Sequence, residues 1–321
     1  MSFTRRGIGA LALGALALGA LTLGLTAASA SAEDKVIRIG YQKYGNVILL
    51  KAKGTLEPKL AAIGYKVTWA EFPFGPPLLE AINAGAIDFG HTGEAPPVFA
   101  QAAGSSIVYV AHEPPAPGGE AILVPKDSPI KSVAELKGKK VAYAKGSNAN
   151  YFAVKALEGA GVKYGEFEPV HLAPADARAA FESGKVDAWS IWDPFYASAQ
   201  AGAGARVLVD GTGIVSNHQF YLAGKSFTES NAKAIEIVLA ELNAVNDWVK
   251  ADPKAAAEQL APATGIPVAI LETALKRQSF GVKPLDAKVV EEQQKIGDLF
   301  HTLGLIPKPI KVEEIVWRAG S

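Results

Sequence analysis

Four short stretches of this chain carry glycine, proline and small polar residues in the order in which helices begin: Gly75-Pro76-Pro77, Thr92-Gly93-Glu94, Lys145-Gly146-Ser147-Asn148 and Asp193-Pro194. Proline in the first turn behind a polar or glycine cap is the expected opening of a helix. The first N–H groups of a helix lack partners within it and carry the positive end of its dipole, so several such openings facing one another suit an anion. That is the chemistry of capture. With no cysteine anywhere in the sequence, a thiolate nucleophile, a disulfide and a Cys-ligated metal are all removed. The five histidines are scattered, and His91, three residues before Glu94, fits no zinc spacing. A satisfied strand-end histidine is the bland alternative for it, and the sequence implies neither cofactor nor metal.

The elements that must position these openings occur twice. IGYQKYGN at residues 39–46 is echoed by VAYAKGSN at 141–148, and NAGAIDFG at 83–90 by ESGKVDAW at 182–189. Each half runs from an apolar strand ending in Tyr-x-Lys (Tyr41, Lys43; Tyr143, Lys145) through a helical stretch to Gly-x-(Ile/Val)-Asp (Gly85, Asp88; Gly184, Asp187). Short apolar runs at 36–41, 66–71, 87–91 and 107–111, and again at 140–144, 169–172, 188–191 and 206–210, alternate with helical segments such as 77–83 and 95–102. This rhythm predicts an α/β chain with two mostly parallel sheets, flanked by helices, and active groups at the carboxyl ends of the strands. Beyond Thr228 the pattern is helical, over 229–251, 255–260, 268–277 and 287–302, a tail that must cover one lobe.

Residues 1–32 form a separate unit. Arg5 and Arg6 precede an apolar run that ends in Ala28-Ser29-Ala30-Ser31-Ala32, which reads as a cleavable secretory signal directing the protein to the periplasm by the Sec or the Tat route. Roughly 290 residues remain, a comfortable size for two domains. Turn-rich segments at 114–119 and 211–217 flank the second repeat, so the chain is expected to leave the first lobe near Pro115 and return near Phe220. Lobe I then comprises 33–114 and 222–321, and lobe II 115–221; two consecutive domains on one linker are the alternative. A formal net charge of zero with no basic tract argues against nucleic acid and for a small partner.

IGYQK (39–43), EFPFGPPLLEAINAGAIDFGHTGEAPPVFAQAAG (71–104), VYVAHEPP (108–115), DSPIKSVAELKGKKVA (127–142), LAPADARAAF (172–181) and VDAWSIWDPF (186–195) resemble the aliphatic sulfonate-binding proteins. The resemblance implies a two-lobe type II periplasmic binding protein fold and a monomer that carries a small anionic organosulfonate to an ABC permease for sulfur uptake. On this reading the membrane is met only through the permease, and the chain is not an enzyme. Taurine, nitrate and thiamine-precursor binders share the fold and remain alternatives, as does a catalyst with a dispersed site.

The resemblance also assigns residues. Gln42 matches a ligand-facing amide, Thr92 and Gly93 a hydroxyl and N–H contact, and Ser147 and Asn148 the equivalent helix start in the second half. Helix capping is the competing role for Thr92, Ser147 and Asn148. Gly75 and Pro76 belong to the ligand-facing set as the third opening, and Trp192 offers a rigid apolar wall for an alkyl substituent, with core packing as its alternative. Asp193 reads as a helix cap, and Glu94 as a cap or a lobe-closing group, because a carboxylate beside a sulfonate would repel it.

Overall fold

The duplicated Gly-x-(Ile/Val)-Asp motif is a staple between strands. In the computed structural model, which describes residues 35–318, Asp88 Oδ2 accepts from the Arg38 N–H at 2.7 Å, and Asp187 Oδ2 accepts from the Lys140 N–H at 2.8 Å. In return the Asp88 and Asp187 N–H groups donate to the Arg38 and Lys140 carbonyls. The aspartates therefore fix the register between the strand that starts at Lys35 or Lys140 and the strand that follows the motif. The expected signal segment lies outside the described residues.

Chain order in the first half is β1 (Lys35–Tyr41), α1 (Asn46–Lys53), α2 (Leu56–Ala61), β2 (Tyr65–Glu71), α3 (Gly75–Asn83), β3 (Phe89–Gly93), α4 (Ala95–Ala102) and β4 (Ile107–His112). The second half holds β5 (Glu120–Val124), β6 (Lys140–Tyr143), α5 (Asn148–Gly159), β7 (Glu168–His171), α6 (Pro174–Glu182), β8 (Ala188–Trp192), α7 (Phe195–Ala203) and β9 (Arg206–Asp210). Then follow β10 (Gln219–Gly224), α8 (Lys225–Ser230), α9 (Ala232–Ala251), α10 (Pro253–Thr264), α11 (Val268–Lys276) and α12 (Ala287–Thr302). One sheet has the order β2-β1-β3-β10-β4 and the other β7-β6-β8-β5-β9.

The two sheets have the same plan. In one, β1 pairs in parallel with β2 and β3, and in the other β6 pairs in parallel with β7 and β8; a strand bordering the passage between halves then enters antiparallel beside β3 or β8: β10 against β3 and β4, β5 against β8 and β9. The sheets are therefore mixed rather than mostly parallel. The reason is topological, because β5 and β10 reach their sheets from the other half without a crossover helix, so nothing forces the parallel sense. The third strand of the first sheet also starts later than the apolar run suggests, at Phe89 instead of Ile87, because Asp88 is committed to its staple.

The tail is helical as expected, with a break between α8 and α9 at Asn231. Apolar residues of α1, α2, β1, α9, α10 and α11 share one core that includes Leu49, Ile39, Val238 and Leu271. A second core runs from α3 and α4 into the other sheet, where Phe300 of α12 sits between Phe99 of α4 (rings 4.7 Å apart) and Tyr151 of α5 (5.7 Å). Among the described residues no helix is long and apolar enough to cross a membrane.

Replacing Asp88 by Ala removes an acceptor from a partly buried N–H and from the Arg38 guanidinium at once. The expected loss is about 1–3 kcal/mol in urea unfolding, against a smaller loss for Asp187→Ala, whose single backbone bond is more accessible.

Candidate functional site

The strand ends of both sheets converge on one small cavity. It is lined by Gln42 and Tyr44 after β1, Gly75 at the start of α3, Gly93 at the end of β3, Pro96 of α4, Ser147 and Asn148 at the start of α5, Trp192 at the end of β8, and Asn217 and Gln219 around the start of β10. No lining residue carries a formal charge. The cavity measures about 20 Å³, room for roughly one water molecule.

Six of the residues expected from sequence meet here: Gln42, Gly75, Gly93, Ser147, Asn148 and Trp192. Pro76 and Thr92 do not line the cavity. Pro76 faces a groove between α3 and α4 with Pro96 and Phe99, and Thr92 is fully buried with its hydroxyl donating to the Gly93 carbonyl at 2.9 Å. Glycine is required at 93 by close approach, since a Cβ there would stand 2.4 Å from Asn148 Cγ and Oδ1. At 75 it would stand 2.7 Å from the Pro96 ring.

Most polar groups at the cavity are already engaged. Gln42 Nε2 donates to the His91 carbonyl at 2.9 Å, and Ser147 Oγ donates to the Ala144 carbonyl at 2.6 Å while accepting from the Asn150 N–H. Ser147 thus performs the capping role. Asn148 Oδ1 accepts from the Ala95 N–H at 3.0 Å, which caps α4 from the opposite half, and its Nδ2 donates to Asn217 Oδ1 at 2.7 Å. Asn217 Nδ2 continues the chain of bonds to the Ala116 carbonyl at 2.8 Å. Among the described residues Asn217 is the sole non-glycine with positive φ, 52°, a conformation asparagine tolerates better than most.

An acidic shell surrounds the cavity without lining it. Glu94 is buried, and its Oε2 accepts from the His218 N–H at 3.1 Å, so the carboxylate holds the return segment while Asn148 does the capping of α4. Burial pushes the Glu94 carboxyl up to about 7 against the pull of the His218 and Asn217 N–H groups. Asp193 caps α7 through the Ala197 N–H and meets Arg277 at 3.3 Å; burial raises it to about 6, and Arg277 draws it back down. Glu120, opposite Trp192 in the β5–β8 register, is pushed well above the usual range by burial and then by Glu94, and among the described residues neither of its oxygens has a partner. Near neutral pH this shell therefore carries less negative charge than its composition implies.

His91 is a strand histidine held through one ring nitrogen, its Nδ1 having no partner among the described residues. It is buried, its Nε2 lies 3.0 Å from the Tyr44 carbonyl, and burial lowers it to about 4. Among the described residues no group of three or more His, Asp and Glu side chains is arranged to hold a metal ion. Tyr44, Pro96, Asn217 and Gln219 were not legible from sequence as cavity residues. Tyr44 stands two places after Gln42 at the same strand end, and Gln219 opens a strand flanked by turn residues, the two signals that point to them.

The Glu94 environment sets a pH dependence of stability. The folded carboxyl, near 7, keeps a proton that the unfolded chain releases near 4.5, so the group favours folding below about 4.5 and loses that contribution as pH rises through about 7. Glu94→Gln, which keeps an acceptor for the His218 N–H, is expected to flatten the decline in urea stability between pH 5 and 8. At pH 8 it should gain on the order of a few kcal/mol over the wild type.

Comparison with known proteins is consistent with this site. Residues 76–256 match the "NMT1/THI5 like" family model. The chain is 42% identical over 294 residues to a putative aliphatic sulfonates-binding protein of Escherichia coli K12, covering 91% of this chain and 92% of that one. It is 32% identical to a protein of the same description from Bacillus subtilis 168, over 88% of this chain and 86% of the relative. The alkanesulfonate-binding protein SsuA from Xanthomonas axonopodis pv. citri, solved bound to MOPS, superposes with a TM-score of 0.86 at 40% identity, over 90% of this chain and all of that one. With the periplasmic binding protein fold in common and identity at this level along nearly its whole length, the chain belongs to the aliphatic sulfonate-binding proteins.

Proposed function

We propose that this protein captures an aliphatic sulfonate in the cavity between its two sheets and delivers it, in the periplasm, to an ABC permease for sulfur uptake. The observation that carries the reading is the uncharged lining, built from amides, hydroxyls and helix starts at strand ends of both sheets. A sulfonate is the anion of a strong acid; it accepts hydrogen bonds and donates none, so such a lining matches it without a counter-ion. The relatives' descriptions as sulfonate binders support the same ligand class. Gln42, Gly75, Gly93, Ser147 and Asn148 make up the polar contact surface, and Trp192 the apolar wall. Pro76 and Thr92 act behind it.

With room for about one water, the cavity would widen as the halves separate to admit a sulfonate. Lobe I, residues 33–114 and 222–321, and lobe II, residues 115–221, would move on the two passages near Pro115 and Phe220. The contacts that would part are the Asn148 bond to Ala95 and the Arg277 contacts with Asp193, Gln200 and the Tyr196 ring. A permease can favour the loaded, closed arrangement through differential contact with both lobes.

Two measurements test this reading. In a thermal-shift panel of alkanesulfonates, taurine, nitrate, sulfate and a thiamine pyrimidine, a sulfonate at 100 times its Kd should stabilise the protein by about 2.7 kcal/mol. A shift with nitrate or the pyrimidine only would reject the sulfonate, and chemical conversion of bound sulfonate by the pure protein would reject a purely carrier role. Calorimetry of Trp192→Ala should show a greater loss of affinity for long-chain sulfonates than for methanesulfonate; an equal loss at every chain length removes Trp192 from the wall.

A further inference from the structure

We propose that Gln219 reads the sulfonate group directly, as a donor delivered by the strand that returns from the second half to the first. The assignment rests on the sulfonate reading above and adds a residue to it. Gln219 opens β10, where its backbone is paired with Gly93 of β3 on one side and accepts from the Glu113 N–H at 2.8 Å on the other. That register sets it beside the end of β3 and the start of α4, so Gln42 and Gln219 flank the same strand end from β1 and β10.

The two glutamines differ in what their amides do. Gln42 is tied to the His91 carbonyl. Gln219 is 7% exposed and lines the cavity, yet among the described residues neither polar atom of its side chain has a hydrogen-bond partner, and its Oε1 is fully enclosed. Folded proteins rarely leave a buried amide in this condition, because its lost hydration is not replaced. The other cavity amides, Asn148 and Asn217, are bonded through both polar atoms, and the Ser147 hydroxyl is spent within its own turn. Among side-chain amides and hydroxyls of the lining, only Gln219 and the Tyr44 hydroxyl have no partner within the described residues.

An uncommitted amide fixed at its backbone on both sides explains itself if a ligand completes it. The Gln219 Nε2 group can donate to a sulfonate oxygen, in line with the helix starts of α3 and α5, without introducing a charge. Its location immediately after Asn217 and His218 also joins ligand contact to the segment on which the lobes would move.

The test separates ligand reading from a structural role by the sign of the stability change. Gln219→Met keeps the length of the side chain and removes both polar atoms. Without sulfonate, this variant should melt about 2–4 °C above the wild type, because a buried unpaired amide is gone. Its calorimetric Kd for methanesulfonate should nonetheless weaken by about tenfold to a hundredfold, the loss of one charge-assisted hydrogen bond. Gln219→Glu, which sets a carboxylate where the donor was, should weaken binding further at pH 8 than Gln219→Met does. An unchanged Kd in Gln219→Met overturns the assignment while leaving the sulfonate reading intact. A lower melting midpoint together with lost binding makes Gln219 structural and also overturns it. If the wild type binds no sulfonate, both readings fall.

Discussion

The amide of Asn148 ties the two halves of this protein together. It lies flat on Gly93, accepts from the first N–H of α4 across the cavity, and donates to Asn217 in the return segment. A helix N-terminus in one half is thus capped by a side chain from the other, so a group that elsewhere closes a helix locally here fixes the spacing between two sheets. The glycine at 93 follows from this contact, since any Cβ would collide with the amide. The strained backbone of Asn217 follows too, because it holds an oxygen towards Asn148 and an amide towards the outgoing passage at Ala116.

Duplication gives this contact its symmetry. Both sheets are built on the same order, and both use an aspartate after the Gly-x-(Ile/Val) pair to bind a backbone N–H, of β1 in one and of β6 in the other. Strand ends of equivalent kind are therefore delivered to the cavity from both sides. The sheets differ in what surrounds them: α9, α10 and α11 complete the core of the first, whereas α12 places Phe300 between aromatic residues of both halves.

Charge is handled by exclusion. A cavity meant for an anion sits inside a shell containing Glu94, Glu120 and Asp193, which would be hostile if all three were ionised and exposed to it. Burial raises all three carboxyls, Arg277 answers Asp193, and the His218 N–H answers Glu94. Glu94 and Asp193 brace the segments around the cavity, and neutral donors are left to line it. Desolvation thus converts repulsive groups into structural ones.

The two repeated halves, the strand and helix segments, and five of the six expected cavity residues were legible because they rest on local signals: period, turn chemistry, and the glycine and proline of helix starts. Motif correspondence added Gln42, whose type alone is unremarkable. What the chain could not announce locally was decided by long-range pairing. The mixed sense of the sheets came from β5 and β10 inserting between strands far away in sequence. Thr92 and Pro76 have the right types for contact, but one hydroxyl turned to a neighbouring carbonyl and one ring turned into a helix groove. Gln219 and Asn217 carry no motif; the return of the chain between β3 and β4 brings them to the cavity. Residue type and spacing determine which groups are able to donate, whereas their direction and their remaining free valences depend on neighbours that only the folded chain supplies.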